Sequence, residues 1–246
     1  MNIDNNLLIE QKEQQLILTL NRPEASNSLT PELVEAMIDA LTQANSIRLC
    51  VIKANGKNFC AGFDLSTIES LSDGDLLHRF VRLETLLQII HHAPCSVLIL
   101  TQGHSVGAGA DIVAAGGYRV AAPGSTFRMP GWQFGIALGT RRLTRLIGTD
   151  AARDLLIDTK VAEAEIALSM GLINEISAQS DWASLILRAQ QRAMALPETS
   201  LNTLMDLTVN DSRASDMAAL VASAAVPGLK QRILDYRQQL RAARNK

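Results

Sequence analysis

The segment of this chain with the most chemical promise contains almost no side chain. Residues 104–111 read His-Ser-Val-Gly-Ala-Gly-Ala-Asp and follow the apolar run SVLILT at 96–101. Small residues between a strand and a helix leave backbone N–H groups bare at the positive helix end, where an oxyanion or a phosphate can sit. The Gly107-Ala108-Gly109 spacing also suggests a dinucleotide turn. That pattern needs a third glycine where Ile112 stands, and an acid about twenty residues on, where the chain reads VAAPGSTF at 120–127. A nicotinamide site is set aside. A second turn of small residues beside bulky ones, FCAGFDL at 59–65, would by itself read as a surface turn.

Among proton carriers, His104 stands just before the first turn, where its side chain could face a cavity. His78, His91 and His92 fall on or at the end of an expected helix, and the helix dipole accounts for the last two. No His, Cys and carboxylate set has metal-ligand spacing, so no metal is expected. Cys50, Cys60 and Cys95 are odd in number, form no CxxC pair and read as buried thiols of a reducing compartment. Arg141, Arg142 and Arg145 read as a solvated or subunit-facing basic helix, with coenzyme phosphates as the lesser reading.

These groups need elements to hold them. LILTL at 16–20 is rich in strand formers and ends at the turn Asn21-Arg22-Pro23. Thr30-Pro31-Glu32 opens a helix, with Thr as N-cap, Pro at the first helical position and acid in the first turn. LCVIKA at 49–54 reads as a strand. Asp73-Gly74-Asp75 precedes a helix carrying Leu76, Phe80, Leu83, Leu87 and Ile90 on one face, stopped by Pro94. The run at 96–103 has the character of a strand buried on both faces. A small-residue helix over 108–115 follows, then short strands at 118–123 and 125–129. From about residue 138 the pattern is mostly helical, with INEIS as a last strand and two or three helices beyond Pro197. Strand–turn–strand–helix units over 16–44, 49–92 and 96–115 predict an α/β architecture with a smaller all-helical C-terminal region.

Composition narrows the function. The 246 residues carry 23 Lys+Arg against 25 Asp+Glu, so a phosphate-tracking nucleic-acid groove has no electrostatic support. Aromatic residues are only 4%, which argues against base- or sugar-stacking platforms, and the 47% apolar share excludes a disordered chain. No apolar run approaches the roughly 20 residues of a membrane span, and the acidic, polar start lacks the features of a secretory leader. A soluble cytoplasmic protein is expected.

Taken together, NRPEASNSL at 21–29, FCAGFDL, the stretch from Gln102 to Asp111 and MGLINEIS at 170–177 resemble the enoyl-CoA hydratase/isomerase (crotonase) family, in order and over roughly residues 8–195. The resemblance implies a crotonase-like spiral of ββα units over residues 1–196. A C-terminal helical, oligomerising region over 197–246 would follow, in a homotrimer or dimer of trimers. It implies an acyl-CoA thioester as substrate, with no cofactor beyond the CoA moiety. It implies an oxyanion hole made by the backbone N–H groups of Phe63 and Ala108. Ala25 and Ser26, with Ala61, Gly62, Asp64 and Leu65, would hold the adenine and pantetheine arm. Gly107, Gly131 and Trp132 would lie along the substrate.

The resemblance also shows departures. Hydration of a double bond needs two acid/base groups, and the family's hydratases use two glutamates. The first aligns with Asp111, one methylene shorter and about one helical turn beyond Ala108, where the macrodipole alone would also favour an Asp. The second falls in a segment of the type F-G-x-P-E, which here reads Phe127-Arg128-Met129-Pro130-Gly131, so Gly131 supplies no acid. An isomerase or lyase is therefore expected, working by double-bond shift, decarboxylation or thioester cleavage. A hydratase with a non-standard second acid/base or water, and a non-catalytic acyl-CoA binder, are the alternatives. Arg128 would hold a substrate carboxylate if it points into the pocket and is otherwise a surface strand residue. Trp132 either walls the acyl pocket or packs, Gln133 could position a water, and Asp64 braces its loop.

Overall fold

Strand parity decides where the core lies. The computed structural model describes residues 6–244; residues 1–5 of the stretch read as lacking a leader, and the last two of the C-terminal region, lie outside the described residues. One six-stranded sheet runs in the order β1 (Leu7–Lys12), β2 (Gln15–Leu20), β3 (Leu49–Ala54), β4 (Ser96–Thr101), β6 (Tyr118–Ala121) and β9 (Glu175–Ile176). Only the β1–β2 pairing is antiparallel. A smaller sheet contains β5 (His104–Val106), β7 (Thr126–Arg128) and β8 (Ala162–Glu163).

On β3 and β4, Cys50, Ile52, Val97 and Ile99 join one buried cluster, while Leu49, Val51, Leu98 and Leu100 join a second. Successive side chains point to opposite faces, so these strands are apolar throughout because both faces are covered. The first face packs on α1 (Pro31–Gln43), α2 (Asp73–His91) and α3 (Ala108–Ala115). The second meets α7 (Trp182–Met194) and α8 (Glu198–Thr208).

Each time the chain leaves the long sheet it adds a short segment to the second layer and then a helix. β4 is followed by β5, and β6 by β7; after β3, Cys60 bridges Ser105, and after β2, Leu29 bridges Phe63. This is the expected spiral. α1 is capped by Thr30, whose Oγ1 accepts from Leu33 N–H at 3.2 Å. α2 begins earlier than its sequence suggested: Ser72 and Asp75 form a reciprocal cap, which puts Asp73 to Asp75 inside the first turn.

The sequence reading missed β1, β5 and β8. β1 is an edge strand with only Leu7 buried, β5 has three residues and β8 two, too little for alternation to register. The strand expected over INEIS shrinks to two residues.

The remaining helices are α4 (Thr140–Ile147), α5 (Thr149–Ile157), α6 (Ala164–Ser169), α9 (Arg213–Ala224) and α10 (Leu229–Arg244). Leu220, Ala224, Leu229 and Ile233 of the tail are buried in the same cluster as Leu83 and Leu87 of α2. Asp73 accepts from the N–H groups of Gly228, Leu229 and Lys230, pinning the start of α10 to α2. Among the described residues, no helix is long and apolar enough to cross a membrane.

Candidate active site

Hydrogen bonds chain the motif turns to one another. Asn27, fully buried with φ of +53°, accepts from Arg22 N–H at 2.7 Å and donates to Asn55 O and Asn58 O, both at 2.9 Å. That places the Ala25-Ser26 turn against the loop after β3, where Ser26 O accepts from Ala61 N–H at 2.8 Å. The next residue, Gly62, has φ of +83°, and a Cβ there would lie 2.4 Å from Val106 O and 3.3 Å from Ala108 N. Only glycine permits that approach. It brings the 61–65 turn onto the start of α3.

Two backbone donors are left over at this junction. Neither Phe63 N–H nor Ala108 N–H has a hydrogen-bond partner among the described residues. Ala108 opens α3, where no intrahelical acceptor exists, and it is only 5% exposed. Orphaned N–H groups away from water are uncommon and costly. Gly107 holds the turn with φ of +53°, donating its N–H to Arg128 O at 2.8 Å and accepting from Asp111 N–H at 3.0 Å.

The two carboxylates of these turns differ sharply. Asp64 accepts from Arg22 Nη1 and Ser28 Oγ, both at 3.0 Å, and from Ser66 N–H at 2.8 Å. Burial alone would raise its pKa, but hydrogen bonds from Ser66, Arg22 and Ser28 hold it down to about 2. Asp111 has no such cage, and its Oδ1 is buried without a partner. Burial pushes its carboxyl up to about 8, with Arg142 pulling down and Glu84 pushing up. Its neighbour is Gly139, where a Cβ would fall 1.9 Å from Oδ1. Nothing in the sequence linked Gly139 to Asp111. Cys60, in the same turn as Gly62, is a buried thiol at about 12, chiefly through desolvation, and is no nucleophile.

A family model described as enoyl-CoA hydratase/isomerase matches residues 10–229. The chain belongs to this family. It is 34% identical over 202 residues to a protein of Mycobacterium tuberculosis (strain CDC 1551 / Oshkosh) named probable enoyl-CoA hydratase echA6, covering 79% of this chain and 81% of that one. It is 32% identical over 169 residues to the trans-2-decenoyl-[acyl-carrier-protein] isomerase of Streptococcus mutans, covering 65% and 64%. A crystal structure from Bordetella parapertussis carrying the enoyl-CoA hydratase/isomerase name superposes with a TM-score of 0.93 at 42% identity, covering 94% of this chain and 98% of that one. The fold is thus the α/β crotonase fold with C-terminal helices. Members of the family act on acyl-CoA, generally without a cofactor.

The other family positions fall around the junction. Pro130 lies beside Gly107, 3.9 Å from where a Cβ would sit, so Gly131 and Trp132 begin a short 3-10 turn next to α3. Trp132 is 45% exposed, and its Nε1 donates to Thr140 Oγ1 at 3.1 Å, beside Gly139. Leu65 is half-buried, and its carbonyl accepts from Arg237 of α10 at 3.5 Å.

His104 is exposed and pairs with Thr126 Oγ1 at 2.8 Å, and Gln133 Nε2 donates to Ile157 O. Arg142 corrects the reading of a solvated basic helix. It is 4% exposed and grips the buried Glu84 of α2 with both terminal nitrogens, while Asp216 of α9 lies 3.5 Å from one of them. Arg141 pairs with Asp216 of α9 at 2.7 Å. A surface cleft of about 380 Å³ lies beside the Phe63 ring, and its lining does not include Ala108 or Asp111.

Proposed function

We propose that the protein is an acyl-CoA isomerase or lyase that holds a thioester enolate between the N–H groups of Phe63 and Ala108. The observation that carries this reading is the pair of unpartnered main-chain donors on two turns forced together at Gly62. Moving a proton beside a thioester, or losing CO₂ there, puts negative charge on the thioester oxygen. Preorganised N–H donors in a water-poor site lower that barrier by about 3 kcal/mol each.

Asp111 supplies the acid/base group, one helical turn beyond Ala108. With a carboxyl that titrates near 8, it holds its proton at neutral pH and is set to deliver it to the α-carbon of an enolate. A hydratase would also need a group to activate water, and Gly131 leaves that role empty, although a non-standard residue or a bound water could fill it. The backbone of Ala25, Ser26, Ala61, Gly62 and Leu65 would hold the CoA arm, with Asp64 bracing the turn through Arg22, Ser28 and Ser66. No cofactor beyond CoA is required.

One observation favours a non-catalytic acyl-CoA binder: Asp111 is only 4% exposed and packs on Gly139. Replacing Asp111 with Ala and following turnover and binding across a panel of acyl-CoA esters separates the readings. Lost turnover with retained binding supports the enzyme; unchanged turnover removes Asp111 from the mechanism. Binding by the unaltered protein without turnover of any ester supports the binder.

Exposed Leu187, Leu196, Leu204, Leu207 and Val226 on and around the C-terminal helices support an oligomer, a trimer or pair of trimers in this reading. Three buried free thiols suit a reducing, cytoplasmic compartment.

A further inference from the structure

The residue directly behind the oxyanion turn is a cation. Arg128 closes β7, its carbonyl receives the Gly107 N–H, and its Cα partner across the small sheet is Val106. It is half-buried, and no carboxylate pairs with it among the described residues. A guanidinium without an anion, drawn partly out of water, is an unsatisfied group.

What covers it is α10. Arg237 reaches the Leu65 carbonyl on one side of the oxyanion turns, and Arg232 Nε donates to Phe134 O at 3.0 Å on the other. The ring of Tyr236, between those two arginines in sequence, packs 5.5 Å from Phe134. α10 therefore spans from the 61–65 turn to the segment after Gly131, and Tyr236 hangs beneath it. The Tyr236 hydroxyl is buried beside the Arg128 guanidinium. Burial raises its pKa, and the charge of Arg128 and a hydrogen bond from it pull the other way. The guanidinium and the phenol thus share one space beside the oxyanion turn, with no carboxylate paired to the cation among the described residues.

The sequence supplies an independent argument. Against the F-G-x-P-E segment of the hydratases, this chain has Arg128 in place of a glycine and Gly131 in place of the glutamate. The segment has lost an anion and gained a cation, a change of two charges toward positive. A neutral hydrocarbon tail gains nothing from that change; an anionic one does.

We propose that Arg128 and Tyr236 read a carboxylate carried by the acyl group, so that the substrate is the CoA monothioester of a dicarboxylic acid. The guanidinium offers a planar fork to the two carboxylate oxygens, and the phenol O–H donates to one of them. Both residues set specificity and leave the proton chemistry to Asp111. The inference rests on the acyl-CoA reading above.

The test is isothermal titration of the full-length protein with succinyl-, glutaryl- and adipyl-CoA, each against its uncharged counterpart, butyryl-, pentanoyl- and hexanoyl-CoA. A charge-assisted contact of this kind predicts that at least one carboxylated ester binds on the order of tenfold tighter than its partner. Arg128→Met abolishes that preference while leaving the neutral esters bound. Tyr236→Phe, which removes one oxygen and spares the packing on Phe134, lowers it by about threefold, and it serves as the deciding variant should Arg128→Met not fold. Equal affinities for every pair, or a preference that survives both substitutions, overturns the carboxylate site while leaving the thioester reading intact. Equal weakening of both esters by Arg128→Met also overturns it, and assigns the cation to the CoA phosphates. Failure of every ester and of free CoA to bind overturns the thioester reading and this inference with it.

Discussion

The turn at 61–65 and the start of α3 each carry one buried aspartate, 5% and 4% exposed, yet the two are opposite in charge state. Asp64 is enclosed by an arginine, a serine hydroxyl and a backbone N–H, and stays ionised to about pH 2. Asp111 faces Gly139, with Arg142 and Glu84 near enough to act on it, and burial makes it hold its proton to about pH 8. Both are closed to solvent, but Asp111 lies deeper among protein atoms and lacks hydrogen-bond donors, so stronger desolvation and missing hydrogen bonds together make the difference. In the proposed mechanism one turn is a brace and the other is poised to act. Pairs of carboxyls whose surroundings push them apart in this way are a common arrangement for assigning an acid its task.

The comparison can be broken most directly at the poised end. Asp111→Ala should lower turnover of a reactive acyl-CoA by about a hundredfold to ten-thousandfold with little change in binding, measured by steady-state kinetics alongside titration calorimetry. Equal activity in the variant would make the two turns equivalent braces. Ala108→Pro replaces the backbone N–H with ring carbons at the first position of a helix, where proline is tolerated. It should cost about a hundredfold to a thousandfold in turnover, with the thermal midpoint reporting whether the fold is retained. Asp64→Ala removes the carboxylate that Arg22 and Ser28 share and should cost about 3 kcal/mol in urea unfolding, a loss Asp111→Ala should not show.

A further contrast lies in pH dependence, where the two groups have opposite signs. Asp64 is depressed from 3.8 to about 2, so its contribution is present above pH 4 and lost as pH falls through 2. Asp111 is raised from 3.8 to about 8, so its contribution is full below pH 4 and lost as pH rises through 8. Asp111→Asn should flatten the alkaline fall in stability, followed by thermal melts from pH 5 to 9. Turnover that uses the Asp111 proton should decline above about pH 8.

Much of this was legible along the chain. The LCVIKA strand and the 108–115 helix coincide with β3 and α3, because long apolar runs and small-residue turns are local signals. The motif turns were legible too, since the glycine their contact requires at position 62 is written in the sequence. Arg142 was misread because its partners, Glu84 and Asp216, lie 58 and 74 residues away, and local composition cannot show burial by distant helices. Tyr236 was not singled out at all. It lies in a polar amphipathic helix and acquires meaning only because Asp73 pins that helix across the site.

The order of residues alone determined which backbone can approach backbone, which strands must be covered on two sides, and which acid the chain lacks at Gly131. Folding decided the rest. Whether a carboxyl is ionised or protonated depends on the groups packed around it, and those come from elements far apart in the chain. Asp64 and Asp111 are the same residue type, both closed to solvent, and the groups packed around each hold one ionised and the other protonated.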